Sequence, residues 1–187
     1  MEVEECERIV AKYELPANIS VKCMKWDGDP RTRTARGFFT ADALDSTENH
    51  GPPVVVLLPE RVYGGEKEII ELLSHESVHA YDHCVLKRDL TKCEELACSE
   101  IRAAQAAECS GYESKFLKGV FCRNLAPESE YCANVKKQCV ERIAIRSTKS
   151  VFAEDQASEC VRGVFNRCFG NADAPIIRLR KSASESN

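Results

Sequence analysis

The stretch LLSHESVHAYDHC, residues 72–84, constrains this chain of 187 residues more than any other. It contains an HExxH pattern from His75 to His79, inside a run from Glu66 to about Val85 that holds neither Gly nor Pro. Isoleucine, leucine, valine and tyrosine recur over much of the helical surface of that run, which predicts a helix buried in the core. Two histidines in the most apolar helix of the chain need an explanation, because solvent-facing positions suit them better.

The two histidines of this pattern can bind one metal ion. Residues four apart on a helix are turned by about 40° and separated by about 6 Å of rise, so the imidazoles of His75 and His79 converge. Glu76 points about 100° away from His75, which lets its carboxylate reach a water molecule at the metal without becoming a ligand. The pattern is typical of zinc-dependent peptidases, in which this glutamate is the general base. The alternative is a pair of surface histidines on an ordinary helix.

A catalytic zinc ion usually takes three protein ligands, so this pattern is part of a site. His83 lies eight residues after His75, about 12 Å along a straight helix. No Gly breaks the helix after His79, so we expect His83 beside the site or in solvent. The best remaining ligand is Glu100, in ELACSEIRAA, which an antiparallel return of the next helix would bring level with the histidines; its alternative is a solvated carboxylate. Asp82 is expected to orient an imidazole by accepting its hydrogen bond.

Helical and strand patterns together predict an α+β fold that is mostly helical. Its expected parts are a zincin-like HExxH helix, a small β-sheet and a disulfide-stapled C-terminal helical region. Strands are predicted at 36–41 (RGFFTA) and 54–58 (VVVLL), and either one could pair with an extended substrate. Besides the HExxH helix, the apolar spacing predicts helices at 3–13, 93–108, 129–146 and 152–169.

The length of the chain suits one domain with its own core. We expect a single metalloprotease domain over residues 1–170, which ends in a helical hairpin at about 129–169. The tail at 171–187 finishes in KSASESN and is expected to be partly disordered.

Eleven cysteines predict an oxidising compartment and several disulfides, and the odd number leaves at least one thiol outside intrachain bonds. Within the predicted hairpin, cysteines recur two helical turns apart on each helix. If the two helices fold back antiparallel, Cys139 lies level with Cys160 and Cys132 with Cys168. We therefore predict those two pairs. Cys84 is expected to link the HExxH helix to the next one.

Charge and hydropathy argue against a nucleic-acid partner and against a membrane-spanning helix. The net charge is −4 and the pI is near 5.7, without a basic face, so nucleic acid is a poor partner. The longest apolar runs, such as Val54–Leu58, are far shorter than the roughly 18 residues that a membrane-spanning helix needs. The sequence begins with MEVEECERIV, in which no secretory or mitochondrial leader is visible.

Several blocks of the sequence resemble one known family. SHESVHAYDHC followed by ELACSEIRAA, then CVERIAI and NRCFGNADAPI, are similar to the mitochondrial inner-membrane-associated zinc metalloproteases that process and assemble the ATP synthase. The match is strongest over Ile69–Cys109, patchy afterwards and weak before Arg36. One departure is AECSGY, in which the cysteine precedes the Ser-Gly of the family pattern and the usual Asp is missing.

The resemblance implies a site, a location and a role. By position, His75 and His79 match the family's metal ligands, Glu76 its catalytic glutamate, and Glu100 an acidic position of the second block. The family works in the intermembrane space, peripherally at the inner membrane, and is oxidised by the disulfide-relay import route. A zinc endopeptidase that matures an ATP synthase membrane subunit is therefore expected. The alternative is a non-proteolytic assembly chaperone for the membrane sector of the ATP synthase.

Overall fold

The computed structural model of the chain describes residues 1–15, 19–28, 35–40, 53–110 and 130–170, together with the backbone of 178–179. The chain divides into two compact units, the first made of residues 1–84 and 175–187 and the second of residues 85–174. Each unit has its own hydrophobic core. Within the described ranges, no helix combines the length and the apolar character that a membrane span requires.

As far as the structure describes it, the first unit consists of two helices and five short strands. In chain order its elements are α1 (Val3–Val10), β1 (Tyr13–Glu14), β2 (Ser20–Cys23), β3 (Gly37–Thr40), β4 (Val54–Leu57), a 3-10 turn (Pro59–Arg61), α2 (Gly65–Cys84) and β5 (Arg178–Leu179). One sheet has the strand order β2-β4-β3, with β2 parallel and β3 antiparallel to β4. β1 and β5 form a separate antiparallel pair.

Strand β4 lies at the centre of this unit, and its side chains alternate between two apolar layers. Val55 and Leu57 pack in a core that includes Leu73 of α2, while Val54 and Val56 pack in a second cluster on the opposite face of the sheet. All four residues of β4 are at most 2% exposed. An unbroken apolar run is the sequence pattern of a strand that is buried on both faces.

Helix α2 begins beside a carboxylate that binds the main chain of the preceding turn. Glu68 Oε2 accepts hydrogen bonds from the amides of Tyr63 at 2.9 Å and Gly64 at 2.6 Å, two donors at the helix start that have no helical acceptor. Gly65 opens the helix with a φ of 63°, which a residue without Cβ adopts readily. From there α2 continues without Gly or Pro to Cys84, as the sequence pattern predicts.

The second unit is helical in the described residues. Its elements are α3 (Cys93–Ala106), α4 (Glu130–Thr148) and α5 (Glu154–Cys168). α3 packs against both α4 and α5, and these two pack against each other. Ala97, Ile101 and Ala104 of α3 are all fully buried, and the alanines leave space for the neighbouring helices to approach α3 closely.

Disulfides connect α3 to both of its neighbours. The bonds in the described residues include Cys6–Cys23 in the first unit and Cys93–Cys160, Cys98–Cys168 and Cys109–Cys139 in the second. Two of them join α3 to α5, and the third joins the turn after α3 to α4. Cys132 is disulfide-bonded as well.

The predicted pairs Cys139–Cys160 and Cys132–Cys168 are wrong. α3 packs against both helices of the hairpin, so inward cysteines of α4 and α5 meet the cysteines of α3 and its following turn. The expected disulfide of Cys84 is also wrong, because this residue is a thiol. Cysteine spacing within two helices carries no information about a third helix that packs against both of them.

The predicted fold class is confirmed. The described residues contain five α-helices and a small three-stranded sheet, with disulfides concentrated in the C-terminal helical region. The predicted helices at 93–108, 129–146 and 152–169 agree with α3, α4 and α5 to within a few residues. β1, β2 and β5 were not predicted. The predicted tail lies outside the described residues except for the backbone of 178–179, and the single-domain expectation stays a prediction.

Candidate active site

The HExxH residues lie together in the middle of α2. His75, Glu76 and His79 are each 7% exposed, so these ionisable side chains are largely removed from water. The ring centroids of His75 and His79 are 4.9 Å apart, with an angle of 71° between the ring planes. The two imidazoles therefore lie next to each other on one side of the helix, as their spacing of four residues predicts.

The main chain of β3 lies close to Glu76 because residue 37 is a glycine. A Cβ placed on Gly37 would lie 3.9 Å from Cγ of Glu76 and 3.0 Å from both Cδ2 of Leu57 and the carbonyl oxygen of Val56. The last two distances are too short for ordinary van der Waals contact. Gly37 thus allows β3 to pack tightly on β4 while its backbone remains next to the carboxylate-bearing side chain.

The hydrogen-bonding register determines which main-chain groups of β3 face outward. Arg36 is opposite Leu58 in the antiparallel register, and the Arg36 carbonyl accepts a hydrogen bond from the Leu58 amide at 2.8 Å. Bonded and non-bonded pairs alternate in such a ladder, so Phe38 and Thr40 also direct their main-chain groups at β4. The N–H and C=O groups of Gly37 and Phe39 consequently point away from β4. Among the strands that the structure describes, none lies beyond β3 on that side.

The sequence predicts positions or roles for two other polar residues of α2, His83 and Asp82. His83 is half-buried, and its ring lies against Phe39 of β3, with 5.8 Å between the ring centroids. It is therefore a neighbour of the HExxH residues on the same helix, one of the two placements that the sequence left open. Asp82 is 0% exposed; its hydrogen bond to an imidazole stays a prediction.

Glu68 is one of two glutamates near the start of α2 whose pKa is lowered, the other being Glu66. Partial burial pushes the pKa of Glu68 upward, but the amides of Gly64 and Tyr63 and the guanidinium of Arg36 outweigh this effect and hold the pKa below its ordinary value of 4.5. Glu68 forms an ion pair with Arg36, the residue that immediately precedes β3. The carboxylate is therefore charged in the folded chain at neutral pH.

The remaining predicted site residue belongs to the second unit. Glu100 lies on α3 and is 6% exposed, which excludes the solvated carboxylate that the sequence left open as an alternative. A carboxylate that is buried to this extent needs a cation, a metal ion or hydrogen-bond donors. Its role as the third ligand stays a proposal.

The first unit has the features of a zincin-like protein. An HExxH helix packs against β3 and β4 of a small mixed sheet, with an outer strand beside the glutamate of the motif. Two imidazole nitrogens and a carboxylate oxygen are the donor types that zinc takes in catalytic sites. The two histidines of α2 provide the imidazole part of such a donor set.

Comparison with known proteins identifies the family. The model of the Peptidase M76 family matches residues 10–176, and the chain belongs to this family. The resemblance that the HExxH and ELACSEIRAA blocks indicate is therefore confirmed. No solved structure matches the chain.

Curated relatives have names that specify a protease and a membrane. The chain is 30% identical to the mitochondrial inner membrane protease ATP23 of Meyerozyma guilliermondii, over 75% of this chain and 57% of the relative. It is 31% identical to the ATP23 homolog of Danio rerio, over 79% of this chain and 57% of the relative. For the Candida albicans protein the values are 27%, 75% and 58%. The chain thus spans somewhat more than half the length of these relatives.

Some residues near the HExxH motif were not singled out by sequence reasoning. RGFFTA was predicted as a strand, but no role was assigned to Gly37, Arg36 or Phe39. A glycine inside a strand pattern is a signal of close backbone approach, and that signal was present. Nothing in the sequence indicates that Glu68 is the partner of Arg36, because 32 residues separate them.

Proposed function

We propose that this chain is a zinc-dependent endopeptidase. The observation that carries the proposal is the position of Glu76, which is buried on the same helix as two adjacent imidazoles and lies beside the main chain of an outer strand. In this role Glu76 accepts a proton from the attacking water and then delivers it to the leaving amine. Membership of the Peptidase M76 family supports the same reaction class.

The proposed metal ligands are His75, His79 and Glu100. Each offers one ligand atom, an imidazole nitrogen or a carboxylate oxygen, and all three are buried. A bound zinc ion supplies a Lewis acid that lowers the pKa of water towards neutrality and polarises the scissile carbonyl. Asp82 is proposed to orient one imidazole through a hydrogen bond.

Strand β3 is the proposed binding strand for the substrate. The sequence left RGFFTA and VVVLL open as alternatives, but β4 has a partner strand on each side and β3 has an outward edge in the described sheet. An extended peptide can add to this edge through the N–H and C=O groups of Gly37 and Phe39. Its scissile bond would then lie near Glu76.

The proposed substrate is a subunit of the membrane sector of the ATP synthase, cleaved on the intermembrane-space side of the mitochondrial inner membrane. We further propose that the chain associates peripherally with that membrane. The names of the relatives support the location, and the disulfides of the second unit agree with an oxidising compartment.

Metal analysis and peptide cleavage together test this proposal. The chain should bind about one zinc ion and cleave members of a random peptide library. Glu76→Gln should retain zinc but lower kcat by about a thousandfold or more. Glu100→Ala and His79→Ala should lose zinc. Glu71→Gln, a half-buried glutamate on the same helix, serves as the control and should keep both properties.

Two results would contradict the proposal in different ways. Undiminished cleavage by Glu76→Gln would remove Glu76 from catalysis, while unchanged zinc affinity in Glu100→Ala would remove Glu100 from the ligand set. A separate complementation assay addresses the chaperone alternative. If Glu76→Gln supports ATP synthase assembly in mitochondria as well as the unmodified chain does, the essential role is binding rather than proteolysis.

A further inference from the structure

The start of β3 is attached to the start of α2 by an ion pair. The guanidinium of Arg36 contacts the Glu68 carboxylate, and the Arg36 and Glu68 side chains are 37% and 15% exposed. Glu68 cannot swing away easily, because its carboxylate also accepts the amides of Tyr63 and Gly64. Arg36 is therefore bound to a carboxylate that the helix start holds in place.

The other end of β3 is attached to α2 by an aromatic contact. The Phe39 and His83 rings are tilted by 53° at a centroid distance of 5.8 Å, within the range of favourable aromatic pairs. Glu76 lies between the two attachment points in the sequence of α2, eight residues after Glu68 and seven before His83. Gly37 lies between Arg36 and Phe39 in the same way.

These contacts place β3 along α2 with one orientation. Arg36 meets Glu68, Gly37 approaches Glu76, and Phe39 meets His83, so strand and helix run in the same direction. Gly37 and Phe39 turn their side-chain positions to α2 and their main-chain groups to the outer edge of the sheet. The two attachments therefore restrain the strand that presents hydrogen-bonding groups next to Glu76.

We propose that Arg36, Glu68, Phe39 and His83 are positioning residues for peptide binding, which hold β3 in register on α2 so that a paired peptide passes beside Glu76. The inference rests on the proposed peptidase function and deepens it. His83 thereby acquires a role that is not metal ligation. None of these side chains carries out a chemical step, so their loss should weaken peptide binding and raise KM while leaving kcat nearly unchanged.

Peptide binding tests the inference without requiring cleavage. Fluorescein-labelled decapeptides are selected for binding to the Glu76→Gln chain from a random-sequence library, and their Kd is measured by anisotropy. Adding Arg36→Gln or His83→Ala to this chain should raise Kd about fivefold. The same substitutions in the active chain should raise KM for the selected peptides about as much, with zinc content and kcat within about twofold of the parent.

Matched variants separate positioning from general destabilisation. Arg36→Lys retains the charge and should recover part of the affinity that Arg36→Gln loses. Lys12→Gln removes a second ion pair of the first turns of α2, between Lys12 and Glu66, which does not involve β3. It should leave Kd and KM unchanged. Thermal unfolding of every variant shows whether the loss of peptide affinity is larger than a loss of fold stability would explain.

The outcomes of this experiment are distinct. Unchanged Kd and KM in both Arg36→Gln and His83→Ala overturn the inference, as does an equal rise in Lys12→Gln. If the active chain binds the peptides but cleaves none, the peptidase proposal fails, and the Kd values still decide the positioning role. If the chain binds no peptide at all, the result contradicts both the peptidase proposal and the positioning role.

Discussion

The two units of this chain are stabilised by different means. In the first unit, large aliphatic side chains such as Leu57 and Leu73 are fully buried around β4, and the Cys6–Cys23 disulfide closes a separation of 17 residues. In the second unit, alanines and cysteines fill much of the core. Its disulfides close separations of 67, 70 and 30 residues.

The difference indicates how each half of the proposed metal site is held. The helix with His75 and His79 depends largely on apolar packing, because the core cluster in which it packs consists mostly of valines, leucines and isoleucines. Small side chains bury less apolar area per residue, so the helix with Glu100 relies more on covalent links, which restrict the unfolded chain most when the closed loop is long. Disulfide formation should therefore contribute more to the stability of the second unit than to that of the first.

The largest expected effect comes from the long disulfides. Replacing Cys98 and Cys168 together by alanine should lower the free energy of unfolding by about 4 kcal/mol, because their loop spans about 70 residues. The same change at Cys6 and Cys23 should cost about 3 kcal/mol, since that loop is shorter. Urea unfolding under oxidising conditions measures both values. A larger loss of unfolding free energy for the Cys6 and Cys23 replacement would contradict the expectation that the second unit depends more on its disulfides.

A smaller effect is expected from shortening one core side chain in each unit. Leu73→Ala should cost about 3 kcal/mol, because it removes three buried side-chain carbons and leaves a cavity. Ala104→Gly, at an equally buried position of α3, should cost about 1 kcal/mol, mainly through helix propensity. Circular dichroism during urea unfolding measures both. Equal losses would show that the two cores depend on side-chain volume to the same extent.

The smallest effect concerns pH and the ion pair of the first unit. The pKa of Glu68 is lowered in the folded chain, so its contribution is complete above the unfolded pKa of about 4.5 and disappears as the pH falls through the folded value. Between about pH 6 and about pH 3, the free energy of unfolding of the parent chain should fall by up to about 1 kcal/mol more than that of Glu68→Gln.

A matched control for this pH effect lies in the second unit. The pKa of Asp89 is also lowered, chiefly by hydrogen bonds from Thr91, but this carboxylate lies in solvent at the surface. Asp89→Asn should therefore leave the pH dependence of unfolding unchanged within error. An identical pH profile for Glu68→Gln and the parent chain would contradict a stabilising role for the Arg36 contact.

Much of the fold could be predicted because its signals are local. The spacing of apolar residues predicts α2, α3, α4 and α5, and the unbroken run VVVLL predicts β4, since each pattern reflects burial within a single element. The short strands β1, β2 and β5 lack such a pattern. Their pairing joins residues that are far apart in the sequence, such as Tyr13 and Leu179.

By itself, the sequence determined the half of the candidate site that lies within one helix, because helical spacing alone places His75 and His79 together and sends His83 too far along the axis. Only the tertiary structure decided that Gly37 of β3 lies against Glu76, and which main-chain groups face the outer edge. It also decided the disulfides, since the pairing of cysteines depends on how three helices pack, and local periodicity carries no information about that.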